Sequence, residues 1–161
     1  MIRPVTVDDA AAICEIYNYY IENTCVSFEY DSVSIEEMSR RIKSTTEAFP
    51  WIVYEEQGKV VAYAYANKFA VREAYKNALE VTVYTDNNSS AKGIGTKLYQ
   101  HLFDLLDETT TAHSLMSVIA LPNEASVRLH EKLGFEKAGH LKEVGFKFDQ
   151  WIDVGYWQKM L

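Results

Sequence analysis

The sequence predicts a mixed α/β domain folded around one central sheet. Three features carry that expectation. Runs rich in β-branched and aromatic residues alternate with stretches of helical apolar spacing, in the order β-α-α-β-β-β-α-β-α-β-β. The stretch "WIVYEEQGKVVAYAYA" reads as a hairpin, two such runs joined by a turn at Gln57-Gly58. The stretch "VYTDNNSSAKGIGTKLYQHL", Val83 to Leu102, passes from strand through small and polar residues and two glycines into an amphipathic helix. Length agrees: 161 residues suit one domain, which buries about two thirds of its unfolded surface.

Each element follows in turn. Thr6-Val7-Asp8-Asp9 has the form of a capping box and opens a helix with Cys14, Tyr17 and Ile21 on one face. Ser34-Ile35-Glu36-Glu37 repeats that form before a helix that fades near Phe49-Pro50. Beyond the hairpin, Asn77 to Thr85 makes a strand with Leu79, Val81 and Val83 on one face and Glu80, Thr82 and Tyr84 on the other. From Ile94 the apolar spacing turns helical, through Leu98, Leu102, Leu105 and Leu106. "SLMSVIAL" is a continuous apolar strand. After Pro122, Asn123 caps a helix whose Ala125, Leu129 and Leu133 form a stripe, and Gly134 ends it. From Phe135 onward, apolar–polar alternation with glycines at 139, 145 and 155 indicates strands.

Composition narrows the function classes. A net charge of -7 repels nucleic acid and anionic membrane surfaces alike, so neither is an expected partner. No apolar run approaches the roughly 20 residues that span a bilayer. The opening MIRPVTVDDA has no apolar core of the kind a secretory leader carries, and the expected location is the cytoplasm. Cys14 and Cys25 suggest neither a disulfide framework nor a metal pair, and no metal site is expected.

The glycine turn raises the functional question. A dinucleotide fingerprint would need a third glycine where Leu98 stands, and a phosphate-binding loop would need Gly-Lys-Ser/Thr where the order is Lys92-Gly93. Two readings stand. Glycines relieve crowding at many helix starts. Alternatively, Ser89-Ser90-Ala91-Lys92-Gly93-Ile94-Gly95-Thr96 lets an anion such as a diphosphate approach bare backbone amides, with Lys92 adding positive charge.

Strand, "VYTDNNSSAKGIG", then helix resembles the acetyl-CoA motif of the GNAT N-acetyltransferases, Gln/Arg-x-x-Gly-x-Gly/Ala. "ALEVTVY", "VREAY", "VIALPNEASVRLHEKLGF" and "GHLKEVGFKFDQWIDVGYWQ" are similar to the phosphinothricin and methionine sulfone (or sulfoximine) acetyltransferase branch. The resemblance runs from about Ile2 to Gln158, and implies the GNAT fold with a mixed, mostly antiparallel sheet flanked by helices. Two positions depart from the motif: Ser90 replaces the Gln or Arg, and Asn87 stands where proline is common.

The resemblance implies roles for individual residues. Acetyl-CoA is the implied co-substrate. The Val83-Tyr84-Thr85 backbone would pair with its pantetheine arm, the amides of Ala91, Lys92, Gly93, Ile94, Gly95 and Thr96 would hold its diphosphate, and Asn123 would contact the arm. A backbone N–H near Val83 would steady the acyl oxygen. Glu80 matches the branch's base, acting through a water; on the residues alone it reads equally as a solvated strand carboxylate. His130 shares a helix face with Asn123 and matches a second catalytic group, against the reading of a packed histidine. Phe28, Phe69 and Arg72 would line the pocket of a small amino-acid-like amine. Ala70 replaces a basic position there, which favours singly charged acceptors over phosphinothricin. The loop Lys68 to Lys76 is expected to cover the pocket. Phe135 stands where many relatives place a tyrosine acid, leaving Tyr84 as a candidate. His101, His113 and His140 read as structural or exposed. A homodimer is implied, with the Tyr- and Trp-rich C-terminal strands as its surface. The alternatives are a catalytically silent coenzyme A-binding module and a protein or peptide N-acetyltransferase.

Overall fold

Alternation along the middle strands sorts side chains onto the two faces of one sheet. The computed structural model describes every residue except Ser90. β1 (Ile2–Pro4), β2 (Trp51–Glu56), β3 (Lys59–Lys68), β4 (Ala78–Thr85), β5 (Ser114–Leu121), β6 (Glu136–Lys147) and β7 (Gln150–Met160) lie in the order β1-β2-β3-β4-β5-β7-β6. All neighbours are antiparallel except β4 and β5, which the crossover between them makes parallel. The expected element order holds throughout.

Four helices cover the sheet: α1 (Ala10–Asn23), α2 (Ile35–Thr46), α3 (Ile94–Thr109) and α4 (Glu124–Lys132). In "AYAYA", Ala62, Ala64 and Ala66 pack with Leu98 and Leu102 of α3, while Tyr63 packs with Ile13 of α1 and Ile42 of α2. The alanines suit a helix laid closely against the sheet. Leu98, Leu102 and Leu106 are wholly buried, and each such side chain contributes about 1.5–3 kcal/mol by leaving water.

The box at Thr6 forms as expected, whereas at Ser34 only half of it does, because the Glu37 carboxylate is taken by Arg40 and Arg41. The Thr6 amide donates to Asp9 Oδ2 at 2.8 Å, after a short 3-10 turn that leads into α1. The Glu37 amide donates to Ser34 Oγ at 3.1 Å. One helix is turned differently from its sequence stripe. Ala125 of α4 is exposed, and the residue it buries is His130, because α4 packs on α3 through the 126, 127 and 130 edge together with Leu129 and Leu133. Among the described residues no helix is long and apolar enough to cross a membrane.

Candidate active site

β4 and β5 are joined only at Ala78–Ser114, Leu79–Leu115 and Glu80–Met116, although both strands continue well beyond. On its other edge β4 stays paired with β3 as far as Thr85. The sheet therefore opens into a wedge after Glu80. Peptide groups along an antiparallel strand point alternately to either neighbour. Phe69 N–H donates to Ala78 C=O and Asp86 N–H to Val61 C=O, which assigns the even-numbered residues of β4 to β3. Val81, Val83 and Thr85 thus turn their peptide groups into the wedge. The Thr85 carbonyl is taken by the Tyr20 hydroxyl at 2.6 Å. The Val81 amide closes the last rung on Met116, so the amides of Val83 and Thr85 and the carbonyls of Val81 and Val83 face the open side, an edge that an extended ligand bearing its own amides would complete. Tyr84, expected to share in that pairing, directs its backbone to β3 and only its side chain to the clefts.

Two clefts meet at the wedge, one on each face of the sheet, and share Val26, Thr82, Tyr84, Val118 and Ala120. On the α1 face lies Glu80, half-buried, with no ion pair or hydrogen bond among the described residues. Burial alone pushes its carboxyl above the ordinary value. Across the cleft stand Tyr17, Tyr65, Phe28 and Glu29. Arg41 grips Glu29 through paired bonds of 2.9 and 2.6 Å, which holds that carboxyl low, and the Tyr17 hydroxyl donates to it as well. The two carboxylates therefore differ in kind: Glu29 is committed, Glu80 is free.

On the α3 face, His130 is 2% exposed and joins Asn123, Ser126 and Tyr99 along the cleft. Its Nδ1 lies 2.7 Å from the Ser126 carbonyl, which only accepts, so Nδ1 carries the proton. Nε2 then accepts from the Tyr99 hydroxyl at 3.1 Å. Burial pushes the imidazole below its ordinary value and keeps it neutral, while it pushes the Tyr99 phenol up. Asn123 Oδ1 caps α4 by accepting from the Ser126 amide at 3.2 Å.

The glycine turn leaves only part of the expected amide set open, since the Ala91 amide turns to Ser89 Oγ. Gly93 sits at φ +78°, before the first turn of α3, where a side chain would be strained though it would meet nothing. Lys97 N–H closes on the Gly93 carbonyl at 3.1 Å, so the amides of Ile94, Gly95 and Thr96 have no partner within the helix. With open space before Gly93 and a 16-residue helix behind it, this end fits an anionic diphosphate. Gly95 has a second duty: a Cβ there would lie 3.3 Å from Leu129 Cδ2, so the glycine also lets α4 approach α3. The Ala91 amide reaches Ser89 Oγ at 3.4 Å, and Lys92 is exposed. Ser90, the position that departs from the motif, lies outside the described residues.

The residues expected around the acceptor divide. Phe28 lines the Glu80 cleft; Arg72 and Phe69 do not. Arg72 is exposed on the loop between β3 and β4, and Phe69 packs edge-on against Tyr75. That loop, expected to be a cover, lies outside the cleft lining, and Val26–Glu29 form the wall instead. Glu29, Tyr65 and Tyr99 were invisible in the sequence as site residues, because each reaches its place through packing between distant elements. His101 and His113 are exposed, and His140 bonds Asp153 at 2.7 Å on the surface.

A split parallel pair, an amide-rich glycine turn beside it and a desolvated carboxylate at the fork suit an extended, amide-bearing ligand with an anionic end. The profile of the acetyltransferase (GNAT) domain family matches residues 2–155, and the chain belongs to this family. It is 40% identical to the phosphinothricin N-acetyltransferase of Streptomyces viridochromogenes, over 98% of this chain and 86% of that one. The methionine sulfoximine/methionine sulfone acetyltransferase of Salmonella typhimurium is 31% identical over 95% of this chain and 90% of its own. Among solved structures, a phosphinothricin acetyltransferase from Sinorhizobium meliloti in complex with acetyl-CoA superposes with a TM-score of 0.95. It is 32% identical, covering 100% of this chain and 88% of that one. A structure named ribosomal-protein-alanine N-acetyltransferase, from Brucella melitensis, reaches 0.96 at 35% identity over 100% and 99%.

Proposed function

We propose that this chain is an acetyl-CoA-dependent N-acetyltransferase acting on the amine of a small amino-acid-like substrate. The methionine sulfone, methionine sulfoximine and phosphinothricin class is the proposed acceptor. The observation that carries the reading is Glu80, a half-buried carboxylate without a partner among the described residues, at the point where β4 and β5 part. When bound, acetyl-CoA supplies a thioester as acetyl donor. The chain's own groups do the rest. The Val81 carbonyl, Val83 and the Thr85 amide offer the backbone edge along which the pantetheine arm lies, and the amides of Ile94, Gly95 and Thr96 hold the diphosphate. The free donor of the Asn123 side chain faces the same cleft. Val83 N–H is available to the acyl oxygen. Glu80 takes a proton from the acceptor ammonium, directly or through one water. Neutral His130, set by Ser126 and Tyr99, is the second proton-handling group. Phe28 forms part of the acceptor wall, and Arg72 and Phe69, which lie outside the cleft lining, join it if the β3–β4 loop closes on the acceptor. Transfer is direct within a ternary complex, so initial-rate plots against both substrates should intersect.

The proposed setting is cytoplasmic, and the proposed assembly a homodimer. Leu141, Val144, Phe146, Phe148 and Trp151 stand exposed together on the β6–β7 hairpin, an apolar patch of the kind that marks an interface. Light scattering tests it: a Trp151→Glu, Phe146→Glu chain should be a monomer.

One observation favours a second acceptor class. Among the described residues the Glu80 cleft is lined by Glu29 and Glu80 and by no Lys or Arg, which suits an amine without a nearby carboxylate, such as a peptide N-terminus. Coenzyme A release with methionine sulfone, methionine sulfoximine, phosphinothricin, an alanine-starting peptide and a lysine peptide separates the two readings. Acetyl-CoA binding without release to any amine would instead leave a silent binding module.

A further inference from the structure

The wall segment Val26–Glu29 is held from behind by a buried lysine. Along β6, Gly145 and Lys147 turn inward while Phe146 turns out, as does Phe148 in the turn that follows. Lys147 is 3% exposed, and its ammonium donates to the carbonyls of Ile21 at 2.7 Å, Thr24 at 2.9 Å and Ser27 at 2.7 Å. That uses all its donors. Ile21 and Thr24 end α1, where carbonyls lack helical partners and the helix dipole favours a cation.

Ser27, the third acceptor, is itself buried. Its hydroxyl lies 2.9 Å from the Tyr17 hydroxyl and accepts from the Glu29 amide at 3.2 Å. The ammonium thus sets the residue before Phe28 and two before Glu29, both of which line the Glu80 cleft. Two further contacts dock the same segment on β6. A Cβ at Gly145 would lie 2.5 Å from the Phe28 ring, and the Tyr30 hydroxyl donates to the Phe146 carbonyl. Burial lowers the ammonium's pKa, while nearby Glu29 and Cys25 oppose that shift.

We propose that Lys147 is a positioning residue for the acceptor: its ammonium fixes the loop that presents Phe28 and Glu29 opposite Glu80. This rests on the acceptor cleft proposed above. The test compares wild type with Lys147→Met, Lys147→Gln and Gly145→Ala. Each is read by steady-state kinetics with the amine that wild type turns over, and by hydrogen exchange of the 24–29 amides. Lys147→Met should raise the acceptor KM about tenfold or more and leave the acetyl-CoA KM within about twofold. Lys147→Gln, which keeps donors, should recover part of the loss, and Gly145→Ala should raise the acceptor KM by displacing Phe28. Exchange at residues 24–29 should quicken about tenfold in Lys147→Met, with α3 unaffected. An unchanged acceptor KM, or an equal rise in both KM values, overturns the assignment. Should wild type acetylate no amine, the acceptor reading fails separately, and unchanged exchange at 24–29 then overturns the loop assignment. If Lys147→Met does not fold, Lys147→Gln and Gly145→Ala decide it with the same readouts.

Discussion

Glu80 of β4 pairs with Met116 of β5 in the last rung that joins the two strands. Its side chain stands where the wedge begins, close to open backbone groups yet withdrawn from bulk water. Desolvation raises its pKa, so as pH falls the base is protonated, and activity lost, above the ordinary glutamate value. Glu80→Gln should keep acetyl-CoA affinity, lower kcat about 10²-fold and remove the acid limb of the kcat/KM profile. An unaltered limb in Glu80→Gln would transfer the role to another group.

The glycines of the turn should separate by mechanism. Gly93 needs its left-handed backbone and faces open space, so Gly93→Ala should destabilise by roughly 1–2 kcal/mol. Gly93→Val and Gly95→Val should each weaken acetyl-CoA binding tenfold or more, about 1.4 kcal/mol or above. Gly95→Val should also lower the melting temperature, through Leu129. Calorimetric titration checks both; full affinity in Gly93→Val would misplace the diphosphate site.

The acceptor end rests on Arg72, exposed and outside the cleft lining of this single chain. If it closes on a substrate carboxylate, Arg72→Ala should raise the acceptor KM by the equivalent of about 2–5 kcal/mol and spare the acetyl-CoA KM. Ala70→Lys should improve turnover of phosphinothricin over methionine sulfone. Equal acceptor KM values in wild type and Arg72→Ala would shift the weight to the carboxylate-free, peptide-like acceptors.

His130 and Tyr99 should report on stability as well as activity. The imidazole stays neutral in the fold, whereas in the unfolded chain it takes up a proton near about pH 6.5. Its folded pKa is depressed, so its contribution is full above that pH and is lost as pH falls. The drop in melting temperature between neutral and mildly acid pH should be smaller in His130→Gln than in wild type. Tyr99→Phe leaves Nε2 without its donor and should cost about 1–3 kcal/mol, with a smaller fall in kcat than Glu80→Gln.

Periodicity made the fold legible, since "AYAYA", "LEVTVY" and the leucines of α3 each advertise their own buried face. Gly93 was legible for the same local reason: a strand, a run of small residues and a helix start are contiguous. What periodicity could not show were relations between elements. The wedge depends on where β5 leaves β4, Tyr99 meets His130 only because α3 packs on α4, and Lys147 reaches α1 from more than a hundred residues away. Arg72, inferred from a match of residues, proved to sit on an exposed loop because no local pattern specifies how that loop lies.

The most direct measurement is release of free coenzyme A when acetyl-CoA is mixed with methionine sulfone, wild type against Glu80→Gln, with mass spectrometry of the amine. The account predicts rapid release and an N-acetylated sulfone in wild type, and release slowed about 10²-fold in Glu80→Gln. Turnover of equal speed in both proteins, or a sulfone left unmodified beside an acetylated peptide, would contradict it.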